Sequence, residues 1–299
     1  MRAYHHGRHE HGQNFLIDRD VIASIVDLVA GTDGPIIEIG SGDGALTLPL
    51  QRLGRPLTCI EIDECRAARL ARRTNGATVV VCADFLRYRL PATPHVLVGN
   101  LPFHVTTAML RRILRAPGWS DAVLLVQWEV ARRRAGVGGA TMMTAQWWPW
   151  YDFTLVRRVP AAAFRPRPSV DGGLLTVTRR GCPLVDPADR GRYQDLVQRV
   201  FTARGSGLAR MIVNAVPGLP ERRVREWVRR VGPGALPKHL TVGQWVDLFQ
   251  MARCYGAVER RGRNGSPEPV GRDGARWASG YDGRFAVGGV RRGSIRWRR

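Results

Sequence analysis

The sequence predicts an open α/β sheet of mostly parallel strands, ended by an antiparallel hairpin strand and followed by a small all-α region. Three observations carry this reading. Short, continuous Val- and Ile-rich runs alternate with helical stretches over about 130 residues, as parallel strands covered on both faces do. Two late strand candidates have no long helix between them, which fits an antiparallel pair at the end of the sheet. No strand candidate follows residue 187.

The elements follow in order. Residues 1–20 are polar around a short apolar element, Phe15-Leu16-Ile17. Residues 21–30 read as an amphipathic helix, with Val21, Ile22, Ile25, Val26 and Val29 at helical spacing. Pro35-Ile36-Ile37-Glu38-Ile39 is a strand, followed by a helix at 45–53, a strand at 57–62, a helix at 64–73 and a strand at 78–82. Residues 95–99 form a strand, 105–115 a helix and 122–127 a strand. A short helix at 141–148 precedes the hairpin strands at 152–159 and 173–178. Helices at about 188–203, 207–215, 220–231 and 241–254 build the all-α region. The expected division is a flexible N-terminal segment (1–20), a sheet domain (21–182), a helical domain (183–255) and a tail (256–299). The Arg- and Gly-rich tail reads as disordered.

Composition narrows the class. Among 299 residues, 46 Lys and Arg face 25 Asp and Glu, a formal net charge of +21. The tail holds +7 of it, leaving +14 for residues 1–255. The 44% hydrophobic content supports a packed core. No run reaches the roughly 18–20 apolar residues of a membrane span. The N-terminus carries His and Arg without an apolar stretch, so no secretory leader is expected. The charge excess points to a polyanion, nucleic acid first and an anionic membrane surface second. Lys238 is the only lysine. Arginine's fork suits phosphate, and a GC-rich genome gives the same bias. The five cysteines (Cys59, Cys65, Cys82, Cys182, Cys254) are widely spaced without a CxxC pair. No disulfide framework or metal site is expected, and a reducing cytoplasm is the expected compartment. His5, His6, His9 and His11 read as part of a polar leader.

The chemistry collects at strand ends. Glu38-Ile39-Gly40-Ser41-Gly42-Asp43-Gly44 closes the first sheet strand and opens a helix. Its glycines allow a tight turn and close backbone approach to a ligand at the carboxyl end of the sheet. The pattern is neither G-x-G-x-x-G nor a Walker loop. Glu61 follows Gly40 by 21 residues, close to the spacing at which an acid meets ribose hydroxyls. Asp84, after the third strand, is placed to accept from an adenine amino group. A nucleoside across these ends would meet all three. Glu38 beside the loop, with no basic partner there, suits a cationic ligand better than a pyrophosphate. S-adenosylmethionine, with a sulfonium, an ammonium and an adenosine, fits better than NAD or ATP.

Gly99-Asn100-Leu101-Pro102-Phe103 ends the fourth strand. The Asn100 side-chain oxygen and the Leu101 carbonyl are the acceptor pair for an exocyclic amine, and Pro102 fixes the turn. Phe103 is placed to stack on a flipped base. Hydrogen bonds to the amine's protons enrich a nitrogen whose lone pair is delocalised into the ring. Proximity and in-line orientation then supply much of the acceleration, and no dedicated general base is needed.

These residues resemble those of the erythromycin-resistance (Erm) rRNA adenine N6-methyltransferases, related to the small-subunit dimethyladenosine transferases. The resemblance spans about Gln13 to Gly256. It rests on Gln13-Asn14-Phe15-Leu16, Glu38-Ile39-Gly40-Ser41-Gly42, Glu61-Ile62-Asp63, Asp84, Asn100-Leu101-Pro102-Phe103 and Phe164-Arg165-Pro166-Arg167-Pro168-Ser169-Val170. It implies a class I S-adenosylmethionine-dependent methyltransferase fold with a helical RNA-binding domain. Asn14 and Leu16 would cover the cofactor, Gly40 approach its methionine end, Glu61 its ribose and Asp84 its adenine. Asn100 would touch both cofactor and target amine, with Phe103 and Phe164 as the aromatic walls around the target base. The implied target is an adenine in the peptidyl-transferase loop of 23S rRNA, and the implied outcome is macrolide, lincosamide and streptogramin B resistance. Asp43 departs from the family, where many members carry a basic residue. The Trp147-Trp148-Pro149-Trp150 run also departs and reads as core.

Basic residues near the site are expected to bind RNA phosphate: Arg111, Arg112 and Arg115, then Arg132, Arg133 and Arg134, then Arg165 and Arg167. A monomer acting on 23S rRNA before full ribosome assembly is expected. DNA is not the expected partner, because Leu101 departs from the Pro-Pro turn of DNA adenine methyltransferases. Two rival readings are a small-subunit rRNA dimethyladenosine transferase and a non-catalytic RNA-binding protein that keeps the fold.

Overall fold

The central strands are short and mostly apolar because both of their faces are covered, with polar residues such as Glu38, Glu61 and Asn100 at or near their carboxyl ends. The computed structural model describes residues 14–256. In chain order the elements are β1 (Phe15–Leu16), α1 (Arg19–Ala30), β2 (Ile36–Ile39), α2 (Thr47–Leu50), β3 (Leu57–Glu61), α3 (Glu64–Ala71), β4 (Thr78–Cys82), β5 (His95–Asn100), α4 (Thr106–Arg115) and β6 (Trp119–Gln127). They continue with α5 (Trp128–Arg134), α6 (Met142–Trp147), β7 (Tyr151–Val159), β8 (Phe164–Arg165), β9 (Gly172–Arg179), α7 (Arg190–Thr202), α8 (Leu208–Ala215), α9 (Glu221–Val231) and α10 (Val242–Cys254).

Seven strands form one sheet in the order β4-β3-β2-β5-β6-β9-β7. The first five run parallel, and β9 is antiparallel to both β6 and β7. The chain leaves β2 in one direction for β3 and β4, then returns to its other side with β5 and β6. The crevice between the carboxyl ends of β2 and β5 is therefore the topological switch point, where open α/β sheets bind ligands. Gly99 sits at this seam. A Cβ there would lie 2.6 Å from the Ile39 carbonyl oxygen, so no larger residue fits between the strands.

Local chemistry fixes the helices. Asp18 caps α1 by accepting from the backbone N–H of Asp20 and Val21, each at 3.0 Å. Val21, Ile25 and Val29 then fall on its buried face. Thr241 and Gln244 form a reciprocal capping box on α10.

Several expectations change. The helix at 45–53 is four residues long and tightens into a 3-10 turn over Gln51–Leu53; Pro49 inside it removes a backbone donor. Strand β6 starts at Trp119, earlier than 122. The Trp119 ring is buried, stacks on Tyr151 at 4.9 Å and donates from Nε1 to the Ile113 carbonyl. A helix not expected from the sequence, α5, follows β6 and carries Arg132, Arg133 and Arg134. Glu129 pairs along that helix with Arg132 and Arg133. Phe164-Arg165 is a strand and pairs antiparallel with Phe15-Leu16.

The helical region does not have a core of its own. One apolar cluster runs from Ile37 and Leu97 through Trp147 and Trp150 to Tyr193, Trp245 and Phe249. Trp150 meets Tyr193 edge-on at 5.4 Å, and the Tyr193 hydroxyl donates to the Ala145 carbonyl. The Trp147–Trp150 run thus joins sheet and helices, because Trp147 and Trp150 are buried. The boundary expected near 182/183 separates sheet from helices, but within one core. Among the described residues no helix is long and apolar enough to cross a membrane. The leader histidines and the tail from 257 onward lie outside the described residues.

Candidate active site

At the switch point the glycine loop folds over the end of β3. Gly40 takes φ +71°, open to glycine at little cost, and its N–H donates to the Ile60 carbonyl at 2.8 Å. The Gly42 N–H donates to Glu61 Oε2 at 2.7 Å, and the Asp63 N–H donates to Oε1 at 3.0 Å. Both oxygens of Glu61 are thus held by backbone, which fixes the plane of a buried carboxylate whose remaining lone pairs stay available.

A cavity of about 250 Å³ opens there. Asn14, Gly40, Glu61, Asp84, Asn100, Leu101 and Phe103, seven of the residues singled out from the sequence, line it. Ile60, Ile62, Ala83, Phe85 and Leu86 add apolar walls, and none of the lining residues is Arg or Lys. Asp84 Oδ1 accepts from the Leu86 N–H at 2.8 Å, which holds its turn.

A second cavity of about 400 Å³ lies along the glycine loop and shares Phe15, Gly40, Gly42 and Asn100 with the first. Leu16 lines this one rather than the first. Glu38 lines it too and is buried, accepting from Thr47 Oγ1 at 2.6 Å and from the Cys59 thiol at 3.4 Å. Burial pushes the Glu38 carboxyl up to about 7 and pushes the Cys59 thiol up as well. Ser41 Oγ is buried with no hydrogen-bond partner among the described residues. Arg73, also lining this cavity, donates to the Asp43 carbonyl at 2.8 Å.

Asn100 stands where the two cavities meet. Its Nδ2 donates to the Asn14 carbonyl at 2.8 Å. Among the described residues neither Asn100 Oδ1 nor the Leu101 carbonyl has a donor. The Pro102 carbonyl is occupied, accepting from Thr106 Oγ1 at 3.0 Å and from the Val105 N–H. Leu101 donates its N–H to the Leu125 carbonyl at 2.9 Å, anchoring the turn to β6.

Phe103 is half-buried in the cavity wall. Phe164 is not a second wall of that cavity: it is 2% exposed and packs edge-on against Phe103, with ring centroids 5.9 Å apart. The β1–β8 pairing carries it into the core, where it supports Phe103.

The expected phosphate-binding arginines divide. Arg111, Arg115, Arg133, Arg165 and Arg167 are exposed. Arg112 is half-buried and donates to the Phe85 and Tyr88 carbonyls, tying α4 to the loop after β4. Arg134 is 7% exposed and bonds Thr141; burial lowers its guanidinium to about 10. Arg132 pairs with Glu129 at 2.9 Å. Arg112 and Arg134 are therefore structural in this fold, Arg112 because it spends two donors on backbone carbonyls and Arg134 because it is buried against Thr141. Sequence reasoning missed Phe15, which lines both cavities. Its place between Asn14 and Leu16 was the available signal.

The geometry agrees with what the chain is similar to. The family model described as ribosomal RNA adenine dimethylase matches residues 4–253. An rRNA adenine N-6-methyltransferase of Corynebacterium diphtheriae is 59% identical over 213 residues, 71% of this chain and 84% of that protein. The mycinamicin-resistance protein MyrB of Micromonospora griseorubida is 48% identical over 269 residues, 89% of this chain and 83% of that one. The crystal structure of the 23S rRNA methyltransferase ErmE superposes with a TM-score of 0.73 at 34% identity, covering 80% of this chain and all of that one. The architecture is thus the class I methyltransferase fold with a helical C-terminal region. With a switch-point site of this form and a match running almost its full described length, the chain belongs to the ribosomal RNA adenine dimethylase family.

Proposed function

We propose that the chain transfers a methyl group from S-adenosylmethionine to N6 of one adenine in the peptidyl-transferase loop of 23S rRNA, and so confers macrolide, lincosamide and streptogramin B resistance. The single observation that carries the reading is the acceptor pair, Asn100 Oδ1 and the Leu101 carbonyl, beside the Phe103 ring in a cavity without cationic walls.

The residues fit the cofactor. Apolar walls with Glu61 and Asp84 suit an adenosine. Glu38, Arg73 and the unpartnered Ser41 Oγ of the second cavity suit the charged amino-acid end. Asn14 and Leu16 would cover it, and Gly40 would approach the methionine end. When bound, S-adenosylmethionine supplies an electrophilic methyl group carried on a sulfonium.

The chain's own residues do the rest. Asn100 and Leu101 accept from the two protons of the adenine amine, which enriches the nitrogen and turns its lone pair out of the ring. Phe103 stacks on the base, with Phe164 as its support. Orientation of the two reactants supplies much of the acceleration, and the product's proton leaves to solvent. Arg111, Arg115, Arg133, Arg165 and Arg167 serve the flanking phosphates. The exposed arginines of α9 (Arg222, Arg223, Arg225, Arg229, Arg230) give the helical region its own RNA-binding face. The working form is a monomer in the cytoplasm, acting before ribosome assembly is complete.

The test is methyl transfer from labelled cofactor to protein-free 23S and 16S rRNA. Labelling of 23S alone is expected. Labelling of 16S alone would favour the small-subunit reading, and calorimetry without cofactor binding would favour the non-catalytic one.

A further inference from the structure

Arg66, on α3, lies outside both cavities and has no part in the chemistry described so far, yet it touches two segments that form them. Its guanidinium carbon stands 4.3 Å over the centroid of the Phe15 ring. Its Nη1 is 3.0 Å from Asp43 Oδ2 in the glycine loop, and its Nε is 3.7 Å from Oδ2 of Asp63, the N-cap of α3. Arg69 adds a second cation 3.7 Å from Asp43 Oδ1. Phe15 also packs on the loop itself: a Cβ at Gly42 would lie 3.3 Å from the ring. The Phe15 ring thus lies against both the glycine loop and a guanidinium that the two carboxylates fix in place.

Phe15 is also the residue next to Asn14, whose carbonyl receives the Asn100 amide. A chain of direct contacts thus runs from Asp43 and Asp63 through Arg66 and Phe15 to Asn14 and Asn100. Arginine suits this position, since one planar group stacks on a ring while its edge bonds carboxylates.

We propose that Arg66 is a positioning residue that latches the N-terminal segment over the cofactor cavity, with Asp43 as the charge that holds the latch. The inference rests on the cofactor reading above. Its consequence is that Asp43, the acid in the glycine loop, is one half of the latch. Because the ions are partly exposed, with side chains 25% and 50% accessible for Arg66 and Asp43, salt weakens the latch.

The test is calorimetry of the full chain with S-adenosylmethionine at low and high salt, alongside steady-state methylation. Arg66→Ala is expected to raise the cofactor Kd about tenfold, equivalent to about 1.4 kcal/mol, and to lose most of the salt dependence of Kd shown by the wild type. The cofactor KM should rise in parallel, with kcat at saturating cofactor within about threefold. Arg66→Lys, which keeps a cation over the ring, should recover part of the affinity. Asp43→Asn, at an exposed site that cannot unfold the core, should raise Kd less and also flatten the salt dependence. Wild-type affinity and salt dependence in both Arg66→Ala and Asp43→Asn would overturn the latch. No binding by the wild type would overturn the cofactor reading instead, and the latch with it.

Discussion

The side-chain amide of Asn100 donates to the backbone carbonyl of Asn14 across 86 positions of sequence, at 2.8 Å. This bond decides which way the carboxamide faces. With Nδ2 spent on Asn14, Oδ1 is the end left for a ligand, and an acceptor is what an adenine amine requires. The N-terminal segment therefore sets the polarity of the group that reads the target.

Asn100→Asp is nearly isosteric but replaces the donor with a carboxylate oxygen facing the Asn14 carbonyl. Turnover should fall at least about tenfold, because the carboxylate keeps an acceptor for the amine but is repelled by the Asn14 carbonyl and loses the bond that orients it. The fold should lose less than about 2 kcal/mol, since a single bond to a backbone carbonyl is involved. Single-turnover methylation together with denaturant unfolding checks both.

Phe103 and Phe164 should separate cleanly. Phe164→Ala empties a core site and should cost about 3–5 kcal/mol of stability. Phe103→Ala should leave stability much less affected but reduce turnover on RNA, by the loss of about 1–3 kcal/mol of base stacking. Thermal unfolding and RNA kcat/KM, measured on both variants, distinguish the supporting ring from the stacking one.

Glu38 gives a pH dependence with a defined sign. Burial raises its carboxyl from 4.5 to about 7, so the folded chain holds a proton that the unfolded chain releases within that window. Its stabilising contribution is complete below about pH 4.5 and is lost as the pH rises through about 7, roughly 3 kcal/mol in all. Glu38→Gln keeps an acceptor for Thr47 and removes the titration. Unfolding free energies at about pH 5 and pH 8 should show the variant gaining on the wild type at the higher pH by most of that amount.

Among the arginines, removing exposed Arg111 and Arg115 together should weaken RNA binding and lower the salt slope of log K by about 1.4, about 0.7 for each phosphate contact on single strands. Arg112→Ala should instead destabilise the fold, because the Phe85 and Tyr88 carbonyls lose their donor. Filter binding across a salt series, with an unfolding curve for each variant, checks the division.

Most of the sheet was legible because buried parallel strands announce themselves as continuous apolar runs, and the strand-end motifs were legible because Gly40, Glu61, Asp84 and Asn100 each sit where a strand must stop. What was not legible depended on partners distant in sequence. The β1–β8 pair is two residues against two residues, too short for any periodicity, yet it moves Phe164 into the core. Arg112 and Arg134 look like their exposed neighbours in sequence; only the carbonyls and hydroxyl they meet make them structural. The shared core of sheet and helices was hidden for the same reason, since Trp150 and Tyr193 become neighbours only in the fold.

The most direct test of the central claim is mass-spectrometric mapping of methylated adenines in total rRNA from a sensitive host expressing either the wild type or Asn100→Ala. The account expects N6 methylation at a single adenine of the 23S peptidyl-transferase loop with the wild type, and its loss with the variant. Methylation of 16S rRNA instead, or equal 23S methylation by Asn100→Ala, would contradict it.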